Sequence, residues 1–228
     1  MKTTAIIVAA GKGLRMGSNT GKQFLPIGGR TILSRTLHVF DQSPSVDRII
    51  VAVAGTEMSY VQDHILAPLN LSKKTELVAG GQHRQASVYH GLCRVSEKDG
   101  IVLIHDGVRP FIQPKQIADV ILAARETGAC ILAVPVTDTL KETDQNNRIR
   151  STLDRQTVWA AQTPQAFQFS VIWKAHQAAN QSGYVGTDDA QLVERLGLPV
   201  MVVPGSRFNI KITTPEDLIL AEALLAMD

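Results

Sequence analysis

Cysteine is scarce in this sequence. Only Cys93 and Cys130 occur in 228 residues, which is too few for a disulfide framework, and neither sits in a metal-ligand or redox spacing. Cys93 falls in a helical pattern and Cys130 in a strand pattern, both among apolar neighbours, so both are expected to be buried packing thiols. Long apolar runs are missing too, since no stretch approaches the roughly 20 residues that span a bilayer. The start, Met1-Lys2-Thr3-Thr4 and then apolar residues 5–10, faintly imitates a secretory signal. It stops too early, at Gly11-Lys12-Gly13-Leu14-Arg15, and reads better as a first buried strand. A soluble protein of the reducing cytoplasm, with no membrane partner, is the expectation.

Charge of one sign is also lacking. The 23 basic and 21 acidic residues leave a formal net charge of +2, and no block of like charges could follow a nucleic-acid backbone. A nucleic-acid partner is therefore not expected, and any anionic ligand should be small. No internal repeat, low-complexity tract or interdomain linker interrupts the chain. At 44% hydrophobic and 19% charged, 228 residues can bury one sizeable core but not two large ones. The expectation is a single domain over residues 1–228 with an appendage.

What the sequence does have is alternation. Short β-rich apolar runs at 5–9, 48–54, 76–78, 101–105, 130–136 and 200–203 are mostly separated by segments of helical periodicity at 31–40, 83–95, 114–127, 170–181, 188–196 and 215–227. This predicts an α/β fold, a three-layer sandwich around a mostly parallel, Rossmann-like sheet. The clearest helix start is Thr214 as N-cap, Pro215 at the first position, then Glu216 and Asp217 at the positive helix end. One segment, 138–155, breaks the alternation: it is polar, has few core-sized residues, and carries the turn signal Asp144-Gln145-Asn146-Asn147 at its middle. It reads as a hairpin projecting from the body.

The first strand runs into Ala9-Ala10-Gly11-Lys12-Gly13-Leu14-Arg15-Met16-Gly17. In open α/β sheets ligands bind beyond the carboxyl ends of strands, and glycines there let backbone N–H groups close on a phosphate. A dinucleotide fingerprint would need glycine at Met16, and a Walker A loop would need longer spacing before Gly21-Lys22 and Ser or Thr at Gln23. What remains is a glycine loop carrying two cations, Arg15 and Lys22, close enough in sequence to converge on one polyphosphate. That suits nucleotidyl transfer; the plainer alternative is a solvated turn with scattered charge.

The order of residues in this loop resembles the signature of the 2-C-methyl-D-erythritol 4-phosphate cytidylyltransferases, Ala-Ala-Gly-x-Gly-x-Arg-Met leading to Lys-Gln-Phe/Tyr-Leu, here Lys22-Gln23-Phe24-Leu25. The resemblance continues through Gly80-Gly81 with Arg84 and Ser87, His105-Asp106 with Arg109-Pro110, Pro135-Val136-Thr137-Asp138-Thr139 and Asp154-Arg155. It goes on through Gln162-Thr163-Pro164-Gln165, Thr187-Asp188-Asp189-Ala190 and Asn209-Ile210-Lys211. The ordered set covers nearly the whole chain and is far more specific than any one motif.

The resemblance implies attack by the phosphate of a polyol phosphate on the α-phosphorus of CTP, with release of pyrophosphate, in the non-mevalonate isoprenoid pathway. A phosphate monoester has a second pKa of about 6, so it is already nucleophilic near neutrality and needs no general base. The absence of a Ser/His/Asp constellation agrees with this. By the same resemblance Arg15 and Lys22 stabilise charge on the α-phosphate and the leaving pyrophosphate, while Arg155 and Lys211 position the incoming phosphate. Arg109, Thr139, Thr163 and Thr187 lie near the polyol. Ala9, Ala10, Gly11 and Gly13, with Gly81, Gln82 and Ser87, hold the nucleotide, and Asp106 meets the ribose or a Mg²⁺ on the phosphates, since one carboxylate suffices for that ion.

Two positions depart from the family pattern. Gln82 stands where many members have Asp, and an amide can both accept from cytosine and donate to uracil, so it discriminates less by itself. Gly107-Val108 replaces the more usual Ala-Ala between Asp106 and Arg109, which questions the local backbone path. His105 invites a catalytic role but reads better as an inward, hydrogen-bonded histidine, and Lys211 without the resemblance would read as a surface lysine on an edge strand. Two alternatives stay open, a ribitol-5-phosphate cytidylyltransferase and a silent nucleotide-binding regulator. The family also implies a homodimer in which the 138–155 arm and its Arg155 reach the neighbouring site.

Overall fold

The computed structural model describes residues 1–11 and 21–227. The chain runs β1 (Thr3–Val8), the short pair β2 (Pro26–Ile27) and β3 (Arg30–Thr31), α1 (Ile32–Gln42), β4 (Arg48–Val53), then α2 (Met58–Val61) and α3 (Ala67–Leu69) joined by a π turn at Gln62–Leu66. It continues with β5 (Lys74–Ala79), α4 (Arg84–Leu92), β6 (Ile101–Asp106), α5 (Pro114–Thr127), β7 (Ala129–Pro135) and the strands β8 (Lys141–Thr143) and β9 (Ile149–Thr152). It closes with β10 (Trp159–Gln168), α6 (Phe169–Ser182), α7 (Asp189–Arg195), β11 (Met201–Pro204) and α8 (Pro215–Leu225).

Seven strands form the main sheet in the order β11-β7-β10-β6-β1-β4-β5. All neighbours pair in parallel except at β10, which runs antiparallel to both β6 and β7. Strands alternate their side chains between faces. Thus Ala5 and Ile7 of β1 pack with Leu33 and Phe40 of α1 and Ile117 and Val120 of α5, while Ile6 packs with Val88 of α4, Ile172 of α6 and Leu192 of α7. This is the expected three-layer sandwich. Each large side chain buried this way contributes about 1.5–3 kcal/mol. A third cluster, including Ile27, Ile32, Val108, Phe111, Ile212 and Leu224, ties α8 and the segment before it to the β2–β3 corner.

Local signals act where the sequence placed them. Thr31 caps α1 by accepting from the Ser34 N–H at 3.2 Å, and the Asp217 carboxylate accepts from the Thr213 and Thr214 N–H groups at 2.7 and 2.9 Å at the start of α8. At the hairpin tip Asp144 Oδ1 accepts from the N–H groups of Asn146 and Arg148, and Asn147 takes the left-handed conformation, φ 61°, that asparagine tolerates.

Two expectations needed amending. Cys130 is buried in β7, but Cys93 is exposed, because α4 ends at Leu92 and Cys93 is the C-cap as the chain turns outward. β10 also went unread: its sequence, with three glutamines and Pro164, lacks an apolar period, yet Gln162 to Phe167 are all buried. Pro164 is accommodated where the β10–β7 register shifts between Ala161 and Gln165, the kind of irregularity at which a strand tolerates proline.

Candidate functional site

Four adjacent parallel strands, β5, β4, β1 and β6, end along one edge of the sheet, and the segments leaving their carboxyl ends enclose a cavity of about 740 Å³. Ala9, Ala10 and Gly11 follow β1, Ala54 and Gly55 follow β4, Gly80, Gly81 and Gln82 follow β5, and Asp106 ends β6. Lys22, Gln23, His83, Arg84, Ser87 and Lys211 add further polar lining.

The Gly80-Gly81 turn is fixed by close packing. A Cβ on Gly80 would lie 2.4 Å from that of Ala10, and one on Gly81 2.4 Å from that of Ala86, so only glycine lets the turn sit against the first loop. The Gly80 N–H donates to the Val53 carbonyl at 2.6 Å, and the Gly81 N–H donates to Ser87 Oγ at 3.0 Å. Ser87 therefore shapes the turn from the first half of α4. Gln82 is exposed and faces the cavity from the tip of the turn.

Asp106 is the only acidic residue among the described cavity-lining residues. Its Oδ1 accepts from Arg84 Nε at 3.1 Å; its Oδ2 lies 2.9 Å from Lys211 Nζ and 3.6 Å from Arg109 Nε. Burial alone would push this carboxyl up, but Arg84, Lys211 and Arg109 together hold it well below the usual carboxylate range. The Asp106 N–H donates to Thr163 Oγ1 at 3.1 Å. The Gly107-Val108 departure leaves the turn intact: the Gly107 N–H donates to the Val8 carbonyl and the Arg109 N–H to the Asp106 carbonyl.

His105 is fully buried and faces away from chemistry. Its Nε2 pairs with the Arg109 carbonyl at 3.0 Å and its Nδ1 with Thr163 Oγ1 at 3.1 Å, so Nε2 carries the hydrogen. Burial pushes its pKa down to about 4. It is neutral near pH 7 and props the loop that presents Arg109. Lys211 belongs to no strand; the loop carrying it is pinned by buried Asn209, whose Nδ2 donates to the Thr163 carbonyl at 2.9 Å. The side chain remains 39% exposed and points its amine at Asp106, unlike a lysine on an edge strand.

The expected site residues thus divide into groups. Ala9, Ala10, Gly11, Lys22, Gly81, Gln82, Ser87, Asp106 and Lys211 meet at the cavity. Arg109 and Thr163 brace Asp106 without lining it. Thr187 instead bonds Gln191 of α7 through its N–H and hydroxyl. Thr139 and Arg155 are exposed on the arm, and Arg155 Nη1 donates to the Thr137 carbonyl at 2.9 Å. Gly13 and Arg15 lie outside the described residues. Arg84, quoted only as part of a motif, was missed as a site residue; its place four residues after Gly80, at the start of a helix, was the available signal.

A divalent cation has one protein anchor here, Asp106. Among the described residues no group of three or more His, Cys, Asp or Glu could hold a metal. Mg²⁺ is usually held by one or two carboxylates plus substrate phosphates, so the donor set fits an ion that arrives with a triphosphate.

The family described as IspD, 2-C-methyl-D-erythritol 4-phosphate cytidylyltransferase, matches residues 3–227. The cytidylyltransferase of that name from Syntrophus aciditrophicus is 53% identical over 98% of this chain and 96% of its own length. The one from Geobacillus kaustophilus is 47% identical over 99% and 98%. The crystal structure of 4-diphosphocytidyl-2C-methyl-D-erythritol synthase from Anaerococcus prevotii superposes with a TM-score of 0.88 at 35% identity, covering 99% of this chain and 96% of that one.

Proposed function

Because this chain belongs to the 2-C-methyl-D-erythritol 4-phosphate cytidylyltransferase family, we propose that its cavity joins CTP to that polyol phosphate as follows. The observation that carries the reading is the meeting of two glycine turns, Lys22 and Lys211 at the carboxyl ends of four parallel strands. The Gly80-Gly81 turn and the backbone of Ala9 to Gly11 take the cytosine and ribose, with Ser87 holding the turn's shape and Gln82 at the base edge. The triphosphate lies toward Lys22, and the family resemblance assigns Arg15 to it as well.

A phosphate oxygen of the acceptor attacks the α-phosphorus, the bond to the β-phosphate oxygen breaks, and pyrophosphate leaves with that electron pair. The acceptor enters as a dianion, so the protein's work is alignment and stabilisation of developing charge. Lys211, aimed by Asp106, and Arg155 grip the acceptor phosphate; Arg109 and Thr163, bracing Asp106, back the wall that faces the polyol, with Thr139 and Thr187 at its far side. Bound Mg²⁺, held by Asp106 and the phosphates, would neutralise triphosphate charge. Both cysteines are free thiols, which suits the reducing cytoplasm.

The homodimer belongs to the same proposal. Arg155 and Thr139 line no part of their own chain's cavity, and apolar Ile149, Leu153 and Trp159 stand exposed on and beside the arm, at 64%, 43% and 42%. A lone two-stranded ribbon is marginal in water; a second copy supplies the missing surface and receives Arg155 in its site. Pyrophosphate release from CTP and Mg²⁺ with methylerythritol phosphate, compared with ribitol 5-phosphate, tests the substrate. A higher kcat/KM for ribitol 5-phosphate would overturn it, and no turnover with either would favour the silent regulator.

A further inference from the structure

Asp106 is braced by Arg84 as well as by Lys211 and Arg109. Arg84, the first residue of α4, spans two carboxylates: its Nε donates to Asp106 Oδ1 at 3.1 Å and its Nη1 to Asp189 Oδ2 at 2.6 Å. Asp189, 1% exposed at the first turn of α7, pairs through Oδ1 with Nε2 of fully buried His176 on α6 at 3.0 Å. Its N–H donates to Gln165 Oε1 at 3.1 Å, and Gln165 Nε2 donates to Asp188 Oδ2 at 2.7 Å. A continuous buried line therefore runs from α6 through α7 and α4 to the end of β6, and emerges at Lys211.

Such a line is costly to build. Asp189 is out of water, and the neighbouring charge of Arg84 and hydrogen bond of His176 keep it ionised against the cost of burial. A single well-packed apolar contact would hold α7 to α4 with less penalty. The line also has a definite output, because Asp106 has two oxygens and divides them: one faces Arg84, the other Lys211 and Arg109. If Arg84 let go of Oδ1, the carboxylate would be free to rotate onto Lys211 and draw its amine away from the cavity.

We propose that Arg84 is a positioning residue which, anchored by Asp189 and His176, fixes the rotamer of Asp106 and so sets the reach of Lys211 toward the acceptor phosphate. The planar guanidinium is what the position requires, since its fork spans two carboxylates in fixed geometry, whereas a lysine keeps the charge without the fork. The inference rests on the assignment of Lys211 to the acceptor phosphate.

The test uses Arg84→Lys, Asp189→Asn and the double variant. Asp189→Asn is nearly isosteric, keeps an oxygen for His176 and leaves the backbone bond to Gln165 in place. For each folded variant, kcat and KM for methylerythritol phosphate are set beside CTP affinity measured directly by calorimetry. A misplacement of about 1 Å can cost about 100-fold in rate. Each single variant is expected to lose kcat on that scale while CTP affinity stays within a few-fold, and the double variant should be no slower than the worse single, because both cut the same line. Wild-type kcat in folded Arg84→Lys or Asp189→Asn would overturn the inference. So would losses that multiply in the double variant, or losses confined to CTP affinity. A wild-type protein that failed to turn over methylerythritol phosphate would instead overturn the substrate assignment, so the two failures are distinguishable.

Discussion

The pocket floor and the arm are built from opposite material. Beneath the floor, Ile7, Val53 and Ile104 are completely buried, and Asp106, Arg84, Arg109 and Lys211 hold one another in fixed geometry. On the arm, β8 is exposed along its whole length, Ile149 is 64% exposed, and the exposed Arg155 guanidinium donates to the carbonyl of Thr137. The difference teaches that contacts within one chain fix the described pocket floor in advance but leave the arm's Arg155 away from that pocket. Charge stabilisation that is fixed in advance is what accelerates transfer, and in the proposed dimer the arm gains its order from the second copy.

The largest effect should come from the floor. Lys22→Ala removes the cation that the proposed mechanism sets against developing charge, and we expect kcat to fall roughly 100- to 1,000-fold, while CTP affinity falls far less. Steady-state kinetics beside calorimetry check this; an unchanged kcat with raised KM would make Lys22 a ground-state anchor and weaken the contrast with the arm.

The next prediction concerns the floor's buried imidazole. The His105 pKa is pushed below its ordinary value of 6.5, to about 4, so between those values the unfolded chain binds a proton that the folded chain refuses. Stability is therefore full above about pH 6.5 and is lost as pH falls toward 4. Denaturant unfolding should show about 2 kcal/mol less stability at pH 5 than at pH 7 from this group. His105→Gln, which can still donate to the Arg109 carbonyl and accept from Thr163, should remove most of that slope. An equally steep slope in the variant would place its source elsewhere.

The smallest effect lies at the rim. Gln82→Asp replaces an ambiguous amide by a pure acceptor for the cytosine amine, and a single hydrogen bond of about 0.5–1.5 kcal/mol should raise the CTP over UTP preference a few-fold. A flat or lowered preference in competition assays would mean that backbone groups alone read the base.

Much of this division was legible in the sequence, for physical reasons. The runs that became β1, β4, β6 and β7 announced themselves because strands buried on both faces are continuously apolar, and Asp144 to Asn147 marked the arm's turn through side-chain and backbone chemistry that is purely local. Order of motifs placed Lys22, Asp106 and Lys211 together. β10 escaped because Gln162, Thr163 and Gln165 are buried for their hydrogen bonds, to Ser206, Asp106 and α7, and not for apolar area. The Arg84–Asp189 bond escaped for a related reason: the two residues lie far apart in sequence, and no local pattern encodes a bond across 105 residues. Cys93 misled because an apolar neighbourhood says nothing about where a helix stops.

The most direct test of the account is a mixed dimer, one chain carrying Lys22→Ala and the other Arg155→Ala. If the arm crosses, the site on the Arg155→Ala chain keeps its own Lys22 and receives an intact Arg155 from its partner, while the other site lacks both. Random exchange in a two-fold dimer then gives about a quarter of the wild-type sites, so mixing two nearly inactive parents should restore about that share of activity. Confirmed subunit exchange without recovered pyrophosphate release would contradict the account, because it would mean that Arg155 serves the chain that carries it.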